Sequence, residues 1–264
     1  RRSRKPGPPG GSARRRNMDL AYFFLFVGIG LFAQLVDGAL GMAYGLVSSS
    51  ILLALGLPPA VASATVHTAE VFTTGASGAA HAWFGNVSWK LFRQLAIPGA
   101  IGGILGATVL ANVPGETIRP LVVIYLLILG VMVLSRAFGK RLSRHRVRHP
   151  GWLGLVAGAL DAMGGGGWGP IATSTLVARG GNVRRTIGSV NAAEFVVTTC
   201  VAGALAWHIG IGHWSIVLGL LVGGTIAAPF AAWLVRHLPE RVMLVAVGSL
   251  IIALSVTQLV LRLR

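Results

Sequence analysis

Glu70 and Glu194 lie inside apolar stretches, AVASATVHTAEVFTT and TIGSVNAAEFVVTT. An ionisable side chain at the centre of a bilayer costs at least about 2.5 kcal/mol, so it must meet a partner or a polar cavity. His67 stands three residues before Glu70, and Asn191 three before Glu194. That spacing puts each pair on one helix face. The chemistry on offer is proton exchange at a carboxyl and hydrogen bonding to a small polar solute. Ser63, Thr65 and Thr68 in the first stretch, and Ser189, Thr198 and Thr199 in the second, extend the polar lining. The alternative is interhelical glue, in which Glu–Ser/Thr/Asn hydrogen bonds hold helices together with no solute involved.

Two further acids precede glycine-rich breaks. Asp37 opens DGALGMAYG, and Asp161 opens DAMGGGGWGP. Either acid could cap backbone N–H groups where the chain reverses, or bind a coupling cation. Asp before a Gly-rich turn is also ordinary turn chemistry, which favours the structural role. Gly164 to Gly167 with Pro170 cannot hold a continuous helix, since each glycine costs about 1 kcal/mol against Ala and Pro removes a hydrogen bond. A half-helix starting there would present N–H groups from Gly165, Gly166 and Gly167, a ready anion site. Close helix packing is the alternative reason for such glycines.

Other chemistries lack their residues. Cys200 is the single cysteine, so no intrachain disulfide or Cys-based zinc site can form. There is no HExxH motif, no His/Cys cluster and no Ser/His/Asp or Cys/His arrangement at catalytic spacing. We expect no metal, no cofactor and no enzymatic activity.

The elements that must position these groups are membrane helices. Of 264 residues, 54% are hydrophobic and 11% charged, against about 25% charged in soluble domains. The mean hydropathy is +0.73. Glycine, at 37 residues, is about twice its usual share, as expected where small residues let membrane helices approach closely. The net charge of +16 gathers in the first sixteen residues and between Arg136 and Arg148. No basic stripe with interleaved aromatics appears, so nucleic acid is excluded as a partner.

Eight apolar segments follow: Tyr22 to Leu55, Pro59 to Phe84, Leu91 to Val113, Ile118 to Phe138, Trp152 to Ala178, Thr186 to His208, Trp214 to Val235 and Val242 to Leu261. Most have the length that crosses a bilayer of about 30 Å. The chain also matches itself at a shift of 124 residues: Asp37 falls on Asp161, Glu70 on Glu194, Gly45 on Gly169 and Thr74 on Thr198. With only seven Asp/Glu in the chain, two pairs at one offset mark an internal duplication, the plan of many secondary transporters. The first and fifth segments, broken by glycine, read as re-entrant or discontinuous helices. Three full crossings after each would invert the second half. Inverted halves gather the Lys/Arg between helices on one face, as cytoplasmic loops require. Counting the N-terminal arginines would instead favour parallel halves.

The expected organisation is a basic disordered tail at 1–17, a first transmembrane repeat at 18–138, a basic cytoplasmic linker at 139–151 and a second repeat at 152–264. Met18 is the expected natural start, with 1–17 an upstream extension. A signal peptide is disfavoured because no cleavage site interrupts the apolar run. Trp83, Trp89, Trp207, Trp214 and Trp233 near segment ends read as an interfacial belt.

On AQLVDGALGMAYG, SATVHTAEVFTTGASG, DAMGGGGWGP and SVNAAEF, the chain resembles the TauE/SafE family of sulfite and organosulfonate exporters. The resemblance runs from about Leu20 to Leu261. Half one departs from half two, with Leu46 where half two has Pro170, so half two is the better candidate for substrate contact. The resemblance implies an all-α, inner-membrane secondary transporter of small sulfur-containing or carboxylate anions. His67, Glu70, Asn191, Glu194, Gly165, Gly166, Gly167 and Thr198 are the candidate substrate-binding residues. Asp37 and Asp161 are coupling or structural candidates. Proton coupling through one glutamate is a hypothesis. The partners expected are a small anionic solute and the bilayer, with a homodimer left open. An anion channel and a non-transporting membrane assembly protein are the competing readings.

Overall fold

The computed structural model describes residues 11–40, 42–138, 147, 149–179, 182–237 and 239–263, and these are helical with short connections. The helices are α1 Gly11–Leu40, α2 Tyr44–Ala54, α3 Pro59–Trp83, α4 Trp89–Asn112, α5 Gly115–Arg136, α6 Pro150–Gly164, α7 Ser174–Ala178, α8 Val183–Ile209, α9 Trp214–His237 and α10 Glu240–Leu263. A π-helical segment, Gly169–Thr173, leads into α7. Prolines open α3 and α6 at their first turn, where the missing N–H costs nothing. Five of the described helices are long and apolar enough to cross a bilayer.

Two boundaries differ from composition. α1 begins at Gly11, inside the stretch expected to be a disordered tail. Ala13 and Arg14 to Arg16 are strong helix formers and extend the helix that the apolar run begins. The expected linker ends two residues early, because Pro150 starts α6. Its residues 139–146 and 148 lie outside the described residues.

Glycine contacts give the helix directions. A Cβ on Gly102 would come within 2.0 Å of the Leu155 carbonyl, and one on Gly106 within 2.3 Å of that of Ala159, so α4 and α6 run parallel in close contact. Gly219 meets Phe26, and Gly223 meets Val27 and Leu31, so α1 and α9 run parallel too. Gly75 lies on Phe195 and Gly78 on Ala192, which makes α3 and α8 antiparallel. Gly130 on Ile251 and Gly248 on Leu134 make α5 and α10 antiparallel. Small residues allow backbones this close, the main source of helix association in lipid.

The main packing pairs are α1 with α9, α4 with α6, α3 with α8, α4 with α8, α3 with α9 and α5 with α10. Exchanging the first five helices for their counterparts in the second half returns the same set. The detail follows suit: Gly30 packs on the Leu220 backbone as Gly154 packs on that of Leu95.

α2 is buried along nearly its whole length, with Ser48, Ser49 and Ser50 included. Gly45 at its start lies beside Glu70 in the middle of α3, while Ala54 at its end shares an opening with Pro59 at the start of α3. α2 therefore runs antiparallel to α3. The outer faces are apolar, with Phe24, Ile97, Leu105, Leu121 and Ile128 exposed. Trp83 and Trp207, both 88% exposed, end α3 and α8 and fit the aromatic belt. Trp168 is the opposite case: it is fully buried, and its indole N–H donates to the Val190 carbonyl at 3.1 Å.

Candidate functional site

The two helix breaks are built alike. Asp37 Oδ1 accepts the N–H groups of Ala43 at 2.7 Å and Tyr44 at 3.2 Å. Asp161 Oδ1 accepts those of Gly167 at 2.7 Å and Trp168 at 2.9 Å. Each aspartate thus reaches six and seven residues ahead and caps the short helical piece after its break. The carboxylate is stabilised there by the helix dipole.

The glycines of the second break have their amides taken. The N–H groups of Gly165 and Gly166 donate to the Asp161 carbonyl at 2.8 and 3.2 Å, and that of Gly167 to its carboxylate. The N–H groups expected to meet an anion are therefore held by Asp161 itself. What these glycines supply is room. Gly165 (φ +67) and Gly166 (φ +155) adopt backbone conformations that L side chains rarely take. A Cβ on Gly166 would come within 2.2 Å of the Gly45 carbonyl carbon. The breaks of the two halves thus touch, Gly45 against Gly166. Ser49 of α2 also donates to the Gly165 carbonyl.

Around this contact lie two adjoining cavities. One, with room for about one water molecule, is lined by Asp37, Glu70, Asp161 and Glu194 together with Gly45, Gly166, Gly167 and Pro170. The other, equally small, adds Gln34, Thr73, Thr74, Ser77 and Asn191 to Asp37, Tyr44, Glu70 and Glu194. The two acid pairs singled out by their shared offset therefore converge on one polar space. Among the described residues, no group of acids and histidines has metal-site geometry.

His67 lies across the boundary between the halves. Its Nε2 is 3.1 Å from Asp161 Oδ2, with both side chains buried. Its Nδ1 donates to the Ser63 carbonyl at 2.8 Å. The Ser63 hydroxyl donates to the Ala162 carbonyl at 2.6 Å, a second tie between α3 and α6. The matching position in half two is Asn191, and it does something else: its Nδ2 donates to Ser77 Oγ at 3.0 Å. The two aspartates are thus inequivalent. Asp161 has both oxygens engaged, whereas Asp37 has no histidine opposite it among the described residues.

Thr198 is fully buried and lines neither cavity. Tyr44, Gln34 and Met42 line the cavities without having been singled out from sequence. Tyr44 could have been found, because it falls on Trp168 at the same offset that pairs the acids. Its hydroxyl donates to the Leu220 carbonyl at 2.9 Å and ties α2 to α9.

An apolar-surfaced helical bundle with broken helices around a carboxyl-lined centre defines a class, the multi-pass membrane transporters. The chain matches the family described as Sulfite exporter TauE/SafE over residues 26–257 and belongs to it. It is 44% identical over 248 residues to a protein of Bacillus subtilis (strain 168) described as "Probable membrane transporter protein YtnM", covering 89% of this chain and 82% of that one. No solved structure matches it. The chain is a membrane transporter, not an enzyme.

Proposed function

We propose that this transporter carries small anions, namely sulfite, organosulfonates or related sulfur-containing or carboxylate anions, across the plasma membrane as a secondary carrier, and that protons move with them. One observation carries the reading: Asp37, Glu70, Asp161 and Glu194 line a single cavity. Ionised, these carboxylates repel any anion that enters. An anion becomes acceptable when protons arrive with it, because each proton removes one repulsive charge. Glu70 and Glu194 are the proton-carrying groups, and Asn191 and the serine and threonine hydroxyls of the cavity wall orient the solute, while His67, buried and lining neither cavity, holds Asp161 in place. Gly165, Gly166 and Gly167 let the two breaks approach. The family description, sulfite exporter, supports the substrate class.

The carrier is built from two inverted copies, each opening with a re-entrant helical hairpin. The antiparallel runs of α3 against α8 and of α5 against α10 support this, since these are equivalent helices of the two halves. So does a packing pattern that survives exchange of the halves.

The test is flux in proteoliposomes holding purified protein. Labelled sulfite should show saturable counterflow and accumulate in response to an imposed pH gradient. Glu70→Gln and Glu194→Gln should each remove the response to the gradient. Current without counterflow would make the protein a channel. No flux of sulfite, sulfonate or carboxylate in the wild type would leave an assembly role. Gradient-driven uptake unchanged in both variants would remove the proton role of the glutamates.

A further inference from the structure

The central cavities have room for about one water molecule each. That is too little for a sulfite-sized anion, so a solute needs a route that opens beside them. A much larger cavity, of about 630 Å³, opens where α2 ends and α5 begins, with Ala54, Gly115, Val123, Gln258 and Leu259 in its wall. Glu116 and Arg119 put both signs of charge in the same wall.

One side of α2 joins the two spaces. Leu46, Ser50 and Ala54 stand four residues apart and so share a helix face. Leu46 lines the central cavity and Ala54 the large one, about 12 Å apart along the helix. Ser50, between them, is fully buried, and its hydroxyl has no hydrogen-bond partner. α10, packed against both α2 and α5, carries a second such hydroxyl. Ser255 lies one turn before Gln258 and Leu259, on their side of the helix and one turn deeper in the membrane. Its hydroxyl is buried without a partner, as are both polar atoms of the Gln258 amide. Elsewhere a hydroxyl in these helices takes the carbonyl four residues back, as Thr65, Thr68, Thr74 and Ser189 do. Buried polar atoms left unpaired are costly, and these stand in line between the two cavities. At the 124-residue offset Ser174 falls on Ser50 and Pro170 on Leu46. There the hydroxyl is covered, because Arg136 Nη1 donates to Ser174 Oγ at 2.8 Å.

We infer that the Leu46–Ser50–Ala54 strip of α2, together with Ser255 and Gln258 of α10, is the route between the acidic centre and the face bearing the α5 N-terminus, and that Ser50, Ser255 and Gln258 are the groups a solute meets on it. The cargo, though not the route, rests on the carrier reading above. Hydroxyl and amide groups donate to an oxyanion and accept from water or from a protonated solute. They are neutral, so they pass a small hydrogen-bonding solute along without holding it as a fixed charge would. The route opens where α10 parts from α2, and the unpaired hydroxyls then gain the partners that close packing denies them.

The experiment is the water accessibility of single cysteines. Cys200 is the chain's one cysteine, so Cys200→Ser provides the background. Ser50→Cys and Ser255→Cys are introduced singly into it. Val247→Cys, equally buried and two turns away on α10, is the control. Protein is reconstituted in one orientation, and a membrane-impermeant methanethiosulfonate is applied to one face at a time. The reagent attacks the thiolate, which forms only where water reaches. From the face bearing the α5 N-terminus, Ser50→Cys and Ser255→Cys should label at least about tenfold faster than Val247→Cys, because local opening exposes them. From the other face they should label no faster than the control. Labelling should also block counterflow of labelled sulfite. Ser50→Ala and Ser255→Ala give a second reading that needs no reagent. Each removes an unpaired hydroxyl, so the melting midpoint should hold or rise while counterflow slows. Labelling no faster than the control, labelling from the opposite face, or a lowered midpoint with unchanged counterflow would overturn the route. If wild type carries no sulfite, the cargo reading fails, and the labelling still decides the route.

Discussion

His67 Nε2 and Asp161 Oδ2 lie 3.1 Å apart, with side chains 0% and 3% exposed, and they belong to different halves of the chain. Nothing nearby in sequence requires this contact. It joins the middle of α3 to the end of α6, where Ser63 adds its bond to Ala162. Breaking a buried pair by removing one partner leaves the other without compensation and typically costs 3–5 kcal/mol, about the stability margin of many proteins. His67→Ala and Asp161→Ala should therefore each lower the thermal unfolding midpoint in detergent by many degrees. The combined variant should be less unstable than the two losses added together, because neither member of the pair is then left buried without the other. Additive losses would show that the two residues act independently.

The glycine contact at the centre makes a second, sharper prediction. A side chain at Gly166 would need a φ of +155 and would place its Cβ within 2.2 Å of backbone at Gly45. A flexible side chain could move aside, but backbone cannot. Gly166→Ala should abolish recovery of monodisperse protein. Gly203 lies in α8, and a Cβ there would meet nothing within 4 Å. Gly203→Ala should be neutral, or stabilising by up to about 1 kcal/mol. Size-exclusion profiles and melting curves compare the two. Normal folding of Gly166→Ala would mean that the two breaks do not touch.

How far the sequence discloses this arrangement depends on the type of signal. Glu70, Glu194, Asp37 and Asp161 were legible because acids are scarce in the chain and these share one offset. The helix count was nearly legible from apolar runs, and the breaks at Asp37 and Asp161 from glycine content. The partner of His67 was not, because a contact between α3 and α6 leaves no periodic mark. Nor was the engagement of the Gly165 to Gly167 amides. Free N–H groups and N–H groups held by a nearby Asp look identical in sequence. Arg136 was hidden by its place at the edge of a basic run, where it read as one anchor among many. Its contacts with Met42 and Ser174 set it apart.

The two aspartates caught in equivalent turns should behave differently when neutralised. Each caps two N–H groups through Oδ1, a task that the Asn side-chain oxygen can also perform. Asp161 has His67 on its other oxygen. At the matching place, Asn191 turns to Ser77 instead, and Asp37 faces a cavity shared with Glu70, Glu194 and Tyr44. Asp161→Asn should therefore act mainly on stability, by weakening the tie between the halves. Asp37→Asn should keep most of the stability and change transport, since it alters the charge of the space that the solute crosses. Melting midpoints and the dependence of sulfite counterflow on pH, measured for both variants, check this. Placing a histidine opposite Asp37 with Asn191→His should raise the melting midpoint of the wild type and suppress its transport, imitating the arrangement at Asp161. The idea fails if the two Asn variants lose stability equally and keep the wild-type pH profile.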